Sequence, residues 1–360
     1  MRRELVASIL FTGKPKRIGS MNIPNIRLLN QQLVASQFTD VHDLVSHVGM
    51  LQAQEYRMMR WAVGIRMKRP SMAAFRSAYN SGRIVRTHLF RCTWQLVAAE
   101  DLRWMLKLCA DRNKAAINGY TAYQGRVISE DEYNRANSLI WQALAGRRST
   151  TKTELVERLA ELGLSDTVHA MSIFLRRAEL DGIICSGELD SKENTYALID
   201  ERIPSVAEPS REEAVAMLAR KYFRSHSPAT LEDFVWWTNL NVSECRAAID
   251  ALRNELMEEK HGGAVYYIHR DCRMRGCRRQ TLLLPSYDEY LLGYKSRHHV
   301  LENEFRPRAY SNNGLFYPVI VSGGRVVGNW HPKKAAAFFR EGDIQDITEQ
   351  LGRYNEFMRG

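Results

Sequence analysis

The 360-residue chain has no run of about 18 apolar residues, the length a helix needs to cross a bilayer, so a helical membrane protein is excluded. It has no GxxxxGK[ST] or GxGxxG stretch, which excludes the common phosphate-cradling nucleotide loops, and a nucleotide cofactor is not expected. HExxH and Gly-x-Ser-x-Gly are also missing, so zincin and serine-hydrolase chemistry find no motif. Cysteine is sparse: the six residues at 92, 109, 185, 245, 272 and 277 are scattered, which reads as a reduced cytoplasmic protein rather than a disulfide scaffold. His269, Cys272 and Cys277 supply only three metal-type donors with arginines between them, so neither a metal nor another cofactor is expected. Residues 4–11 follow Arg2 and Arg3 as a short secretory core would. They lack a small-x-small cleavage site and run into Lys14, Lys16 and Arg17, so residues 1–27 read as an N-terminal extension, with Met21 a second candidate start.

Acidic residues are also in deficit, 41 against 51 Lys and Arg, for a net charge of +10 and a pI near 9.3. A basic chain of this kind fits a nucleic-acid partner. The charge is clustered. Arg270, Arg273, Arg275, Arg278 and Arg279 fall within ten residues, and a second group comprises Arg83, Arg86 and Arg91 with His88 between. Either cluster alone reads equally well as a solvated face; two on one basic chain favour phosphate contacts, whose affinity falls with salt at a slope of about −0.9 per phosphate. The DNA-binding set expected here is Arg86, His88, Arg91, Arg270, Arg273, Arg275, Arg278 and Arg279.

Apolar residues make up 45% of the chain, enough for real cores and for two or three domains. Helical spacing appears over residues 31–36, 41–50 and 54–67, then over 72–79 behind a Ser71 cap; strand-like runs 84–90 and 93–97 follow. Three helices and a small hairpin make the order of a winged helix. It returns over residues 151–162 and 167–180, joined by Gly163-Leu164-Ser165 with Ser165 or Asp166 as cap, and a hairpin at 183–185 and 195–199. A third copy begins at Ser210, with helices over 211–223, 230–237 and 242–257 and a wing from Val265. From Thr281 the pattern changes to strands, with Gly323-Gly324 as a hairpin turn, and residues 333–360 read as one or two terminal helices. The fold class expected is α+β: an extension 1–27, winged helices at 28–148, 149–206 and 207–279, and a small antiparallel β-unit with terminal helices at 280–360.

One segment suggests chemistry. If Met50-Leu51-Gln52-Ala53-Gln54 is extended, side chains two apart share a side, so Gln52 and Gln54 converge. Two amides offer fixed donors and acceptors that suit one water, which they orient without accepting its proton. The competing reading is that both glutamines satisfy backbone groups at a helix start.

Four stretches in order resemble one family, the AlkZ/YcaQ winged-helix DNA glycosylases, over about residues 28–335. They are Gly49-Met-Leu-Gln-Ala-Gln54; Val85-Arg-Thr-His88 with Thr93-Trp94 and Glu100-Asp-Leu-Arg-Trp104; Leu284-Pro-Ser-Tyr-Asp-Glu-Tyr-Leu-Leu-Gly-Tyr294; and Gly324-Arg-Val-Val-Gly-Asn-Trp330. The resemblance implies three tandem winged helices and a β-barrel-like part in a C shape around DNA. It implies Gln52 and Gln54 as the catalytic pair, and Gln54 rather than Asp places the chain nearer the AlkZ type. Gln95 departs from the histidine found in many relatives. Trp94, Tyr287, Asp288, Glu289 and His331 are set down as the substrate cleft, although Asp288 and Glu289 read equally as partners of arginines, and Trp94, Trp104, Trp236 and Trp237 as core.

The implied reaction is removal of guanine alkylated at N7, interstrand crosslinks included, by a monomer acting on damaged double-stranded DNA at the nucleoid. That base is cationic and leaves as a neutral molecule, so positioning, worth roughly 7–11 kcal/mol in favourable cases, can suffice. A crosslinked base cannot be flipped into a closed pocket, which calls for an open cleft. The rival reading is a non-catalytic DNA-binding protein, either a transcriptional regulator or a damage binder.

Overall fold

The computed structural model describes residues 21–161 and 168–360, and the side chains outside 161–170. Most of the expected extension, Leu162, the turn at Gly163-Leu164-Ser165, its caps Ser165 and Asp166, and Thr167 lie outside the described residues. No described helix is long and apolar enough to cross a membrane.

One order of elements occurs three times. It first runs as helix Val41–Val48, short strand Leu51–Gln52, helices Met58–Gly64 and Met72–Asn80, and strands Ile84–His88 and Trp94–Ala98. It returns as Glu130–Leu144, Thr150–Thr151, Lys152–Glu161, Val168–Leu180, Ile184–Ser186 and Thr195–Leu198. The third copy is Arg211–His226, Leu231–Thr238, Val242–Ala251, Leu256–His261 and Ala264–His269, where a single bridge between Ala229 and Tyr267 replaces the short first strand. In the first two copies the last strand lies centrally, between the short strand and its hairpin partner, all antiparallel. Short polar side chains start these helices: Asp40 and Ser71 accept from backbone N–H groups, and Ser129 with Glu132 and Ser210 with Glu213 form capping boxes. Helix Glu130–Leu144 lies before the boundary expected at 148/149, so the second unit starts some twenty residues earlier in topology.

The C-terminal part is an antiparallel sheet of four strands, in the order Lys334–Phe338, Arg325–His331, Val319–Ser322, Thr281–Leu284. Its outer strands do not pair with each other, so it is an open sheet and not a closed barrel. Helix Thr348–Arg359 seals it against the first unit, with the Phe357 ring so close to Gly64 that an added Cβ would meet it at 2.8 Å.

Three expected elements differ. Residues 31–36 are not helical: helix Ile23–Asn30 stops before them, and Gln32 and Ala35 take positive φ. The helix expected over 242–257 ends at Ala251, and Leu256 opens a strand because its partner His269 pairs with it. Residues 334–338, Lys-Ala-Ala-Ala-Phe, are helix formers by propensity, yet they pair with Arg325–His331 because an unpaired strand edge is available there.

Two large cores form. One joins the C-terminal sheet to the first unit's helices; the other joins the first unit's strands to helix Ala99–Tyr123 and the remaining units. Trp94 packs against both, so the end of the first unit's sheet lies where the cores meet. Buried arginines tie these parts together. Arg66, fully buried, holds Asp288 through two bonds of 2.8 Å, and Arg27 donates to the Pro228 carbonyl at 2.9–3.0 Å.

Candidate active site

The chain leaves helix Val41–Val48 through Gly49, whose φ of +90° excludes a side chain that would also press on Lys221 and Trp237. The next residues are extended: Leu51 and Gln52 pair with Leu96 and Gln95, and the Ala53 N–H donates to the Trp94 carbonyl at 2.8 Å. The i, i+2 geometry follows, and Gln52 and Gln54 both line an open cleft of about 540 Å³.

The two amides are held differently. Gln52 is 6% exposed; its Nε2 donates to Thr93 Oγ1 (3.1 Å) and its Oε1 accepts from the Ala53 N–H (2.9 Å). Thr93 Oγ1 in turn donates to the Phe90 carbonyl, which fixes which end of the Gln52 amide is which. Gln54 is exposed and uses its Oε1 to accept from the Trp94 N–H at 3.3 Å. Each amide retains N–H groups, and Gln52 Oε1 a lone pair. The backbone beneath is clamped from both sides. Glu289 accepts from the Gln52 N–H (3.0 Å) and from Trp237 Nε1 (3.0 Å), with His226 Nε2 at 3.5 Å. Arg86 Nε donates to the Ala53 carbonyl (2.9 Å), while its Nη1 donates to Asn194 Oδ1 (2.8 Å) in the second unit's hairpin loop.

Several expected site residues are thereby placed. Arg91 and Tyr287 line the cleft with the amides. Asp288 and Glu289 do not: both are buried, Asp288 on Arg66 and Glu289 under Gln52. Arg86 and His88, expected among the DNA contacts, are buried. Arg86 is 2% exposed with its guanidinium 3.8 Å over the Trp94 ring, and His88, 4% exposed, bonds Glu179 through Nδ1 at 2.5 Å. Burial lowers the His88 pKa against the pull of Glu179. Trp94 is half-buried between Arg86 and the His88 ring at 3.9 Å. His331 is exposed at the end of its strand, outside the cleft lining. Arg270, Arg275, Arg278 and Arg279 are exposed on one loop, whereas Arg273 is partly tied down, donating to the Ala35 carbonyl at 2.7 Å. Gln95 is buried and donates to the Phe90 carbonyl, the group that Thr93 also holds.

A family model described as DNA glycosylase AlkZ-like matches residues 45–351. The chain belongs to the AlkZ-like DNA glycosylase family. The interstrand DNA cross-link repair glycosylase of Streptomyces sahachiroi is 23% identical over 320 residues, 84% of this chain and 85% of that protein. The solved structure of the Streptomyces sahachiroi DNA glycosylase AlkZ superposes with a TM-score of 0.77 at 20% identity, covering 94% of this chain and 96% of that one. As an AlkZ-like glycosylase, the chain breaks the bond between a base and its sugar, and the cleft that holds Gln52 and Gln54 is the candidate place for it.

The cleft also contains residues that the sequence did not single out. Arg297, Arg306 and the loop 311–316 line it, and so does Trp236, which the sequence reads as core. Trp236 was legible in principle: Phe234 and Trp237, three apart, are fully buried on one stripe, which leaves Trp236 off it and 38% exposed. Arg297 and Arg306 carried no comparable signal.

Proposed function

We propose that this glycosylase is monofunctional and hydrolyses the N-glycosidic bond of N7-alkylated guanine in duplex DNA, interstrand crosslinks included, with Gln52 and Gln54 aiming the water. In this reading the three repeated units are winged helices arranged along the duplex, the protein acts as a monomer, and no metal or nucleotide takes part.

The observation that carries the proposal is the anchored amide pair in a cleft whose lining, among the described residues, includes no carboxylate and no lysine. A water accepting from Gln54 Nε2 and donating to Gln52 Oε1 is oriented but not deprotonated. Such a site suits a leaving group that needs no protonation, and a cationic purine is one. An imine with the sugar requires an amine, so borohydride should trap no protein–DNA adduct. The open cleft fits a base that remains tied to the opposite strand, and the name of the Streptomyces relative points the same way. Glu289 acts here as a positioning group, holding the Gln52 backbone through one oxygen and Trp237 through the other.

The test is a duplex carrying a single N7-methylguanine, then the same duplex with a nitrogen-mustard crosslink. Abasic product is expected from both and none from unmodified guanine. Absence of product from the methylated duplex refutes the assigned substrate. A regulator would instead discriminate among undamaged sequences by orders of magnitude.

A further inference from the structure

The rest of the cleft is cationic and aromatic. The Arg91 guanidinium lies 5.5 Å from the Trp236 ring centroid and that of Arg297 5.4 Å from the same ring. Arg297 is also 4.8 Å from the Tyr310 ring, with Arg306 5.3 Å from it. Three guanidiniums thus share one wall. Arg297 Nε donates to the Leu291 carbonyl at 2.7 Å, but contact with a ring face leaves other N–H donors unused. Two of these donors, Arg91 Nε and Arg297 Nη2, are buried without an acceptor. No Asp or Glu among the described residues lines the cleft to offset the three charges. The acids that act on these guanidiniums from a distance are already engaged: Glu289, near Arg91, bonds Gln52 and Trp237, and Asp233, near Arg297, pairs with Arg27 and accepts from the Lys295 N–H.

The backbone adds a second observation. Arg91 and Cys92 take φ of +60° and +53°, two successive non-glycine residues in the left-handed region. That conformation is unfavourable, and two such residues in succession are enriched at functional sites. It is held by the Leu89 N–H to Thr93 carbonyl bond and by Asn113, which donates to the Leu89 carbonyl. The turn is what brings Arg91 to the cleft beside Thr93 and the amides.

Crowded like charges with unused donors are relieved by a group that is anionic and accepts several N–H bonds at once, which describes a phosphate. We infer that Arg91, Arg297 and Arg306 form a seat for one backbone phosphate of the lesion strand, next to the base that faces Gln52 and Gln54. The inference rests on reading this cleft as the glycosylase site. It divides the cleft by charge. Neutral amides face the cationic base, and the arginine wall, which repels that base, takes the strand. Once the base has left as a neutral molecule the phosphate remains seated, so the abasic product stays bound.

The experiment uses duplexes with a stable tetrahydrofuran abasic analogue, so that binding is read without cleavage. Each phosphate near the lesion is replaced singly by a neutral methylphosphonate. The wild-type protein should lose about tenfold in affinity, or 1.4 kcal/mol, at one position. The double variant Arg297→Gln, Arg306→Gln should lose less than about twofold there, and its log–log salt slope should fall by about 0.9. The charge-retaining double variant Arg297→Lys, Arg306→Lys should regain the position-specific loss. Identical methylphosphonate profiles in the wild-type and glutamine proteins overturn the seat. So does a wild-type profile without any sensitive position combined with stabilisation by free inorganic phosphate, which would make the ligand a free anion. Excision of N7-methylguanine is scored separately. Excision with an unchanged profile refutes the seat alone, whereas a sensitive position without excision refutes the substrate assignment and leaves the seat.

Discussion

Arg86 and Arg278 belong to two basic clusters that look alike in the sequence and end in opposite surroundings. Arg86 stands on the strand Ile84–His88, 2% exposed, with its donors on the Ala53 carbonyl and Asn194 and its face on Trp94. Arg278 stands in the loop between Ala264–His269 and Thr281–Leu284, exposed like Arg270, Arg275 and Arg279. The strand runs along the joint between the first and second units, where the chain supplies carbonyls and an aromatic face; on the loop only Arg273 reaches a carbonyl, that of Ala35. A run of arginines therefore stays free for an outside anion only where the protein leaves the guanidiniums without internal partners. Inside, the same side chain becomes the brace that sets the Gln52-Ala53-Gln54 backbone.

The comparison is sharpened most by removing the partner of an internal arginine. Asp288→Ala leaves Arg66 buried and uncompensated, and should cost about 3–5 kcal/mol in urea unfolding. Arg86→Gln should cost about 1–3 kcal/mol and lower kcat for excision more than it raises KM, because the brace acts on the amide pair rather than on DNA. An affinity loss with unchanged kcat would return Arg86 to the DNA-contact class.

Internal placement also acts on histidine. Burial first, then Arg224, presses the His47 pKa from 6.5 to about 4. The folded state therefore binds its proton later than the unfolded chain. The stability this group supports is complete above pH 6.5 and is lost as pH falls towards 4. The expected loss between pH 7.5 and pH 5 is about 1–2 kcal/mol, and His47→Gln should flatten that slope. The smallest effect on stability belongs to the exposed cluster. Replacing Arg270, Arg275, Arg278 and Arg279 by alanine should shift unfolding by no more than about 0.5 kcal/mol. The salt slope of DNA binding should fall by about 0.9 for every phosphate those residues touch.

Much of the architecture was legible because it is periodic. Helices with apolar stripes and polar caps gave the repeated order, and an extended five-residue segment was enough to put Gln52 and Gln54 in one cleft. The rest depended on partners distant in sequence. Nothing near Asp288 and Glu289 shows that Arg66, 222 residues away, takes the first and the Gln52 backbone, 237 away, takes the second. The Lys-Ala-Ala-Ala run at 334–337 has helical propensity and becomes a strand because a hairpin edge accepts it. Arg297 and Arg306 resemble any surface arginine until the fold stacks them on Trp236 and Tyr310.

Single-turnover excision of N7-methylguanine by Gln52→Ala and Gln54→Ala, with enzyme saturating, tests the water-aiming pair most directly. Both rates should fall about a hundredfold, the range for losing one donor preorganised for the transition state, while duplex affinity stays within about twofold. Undiminished rates in both variants would contradict the account.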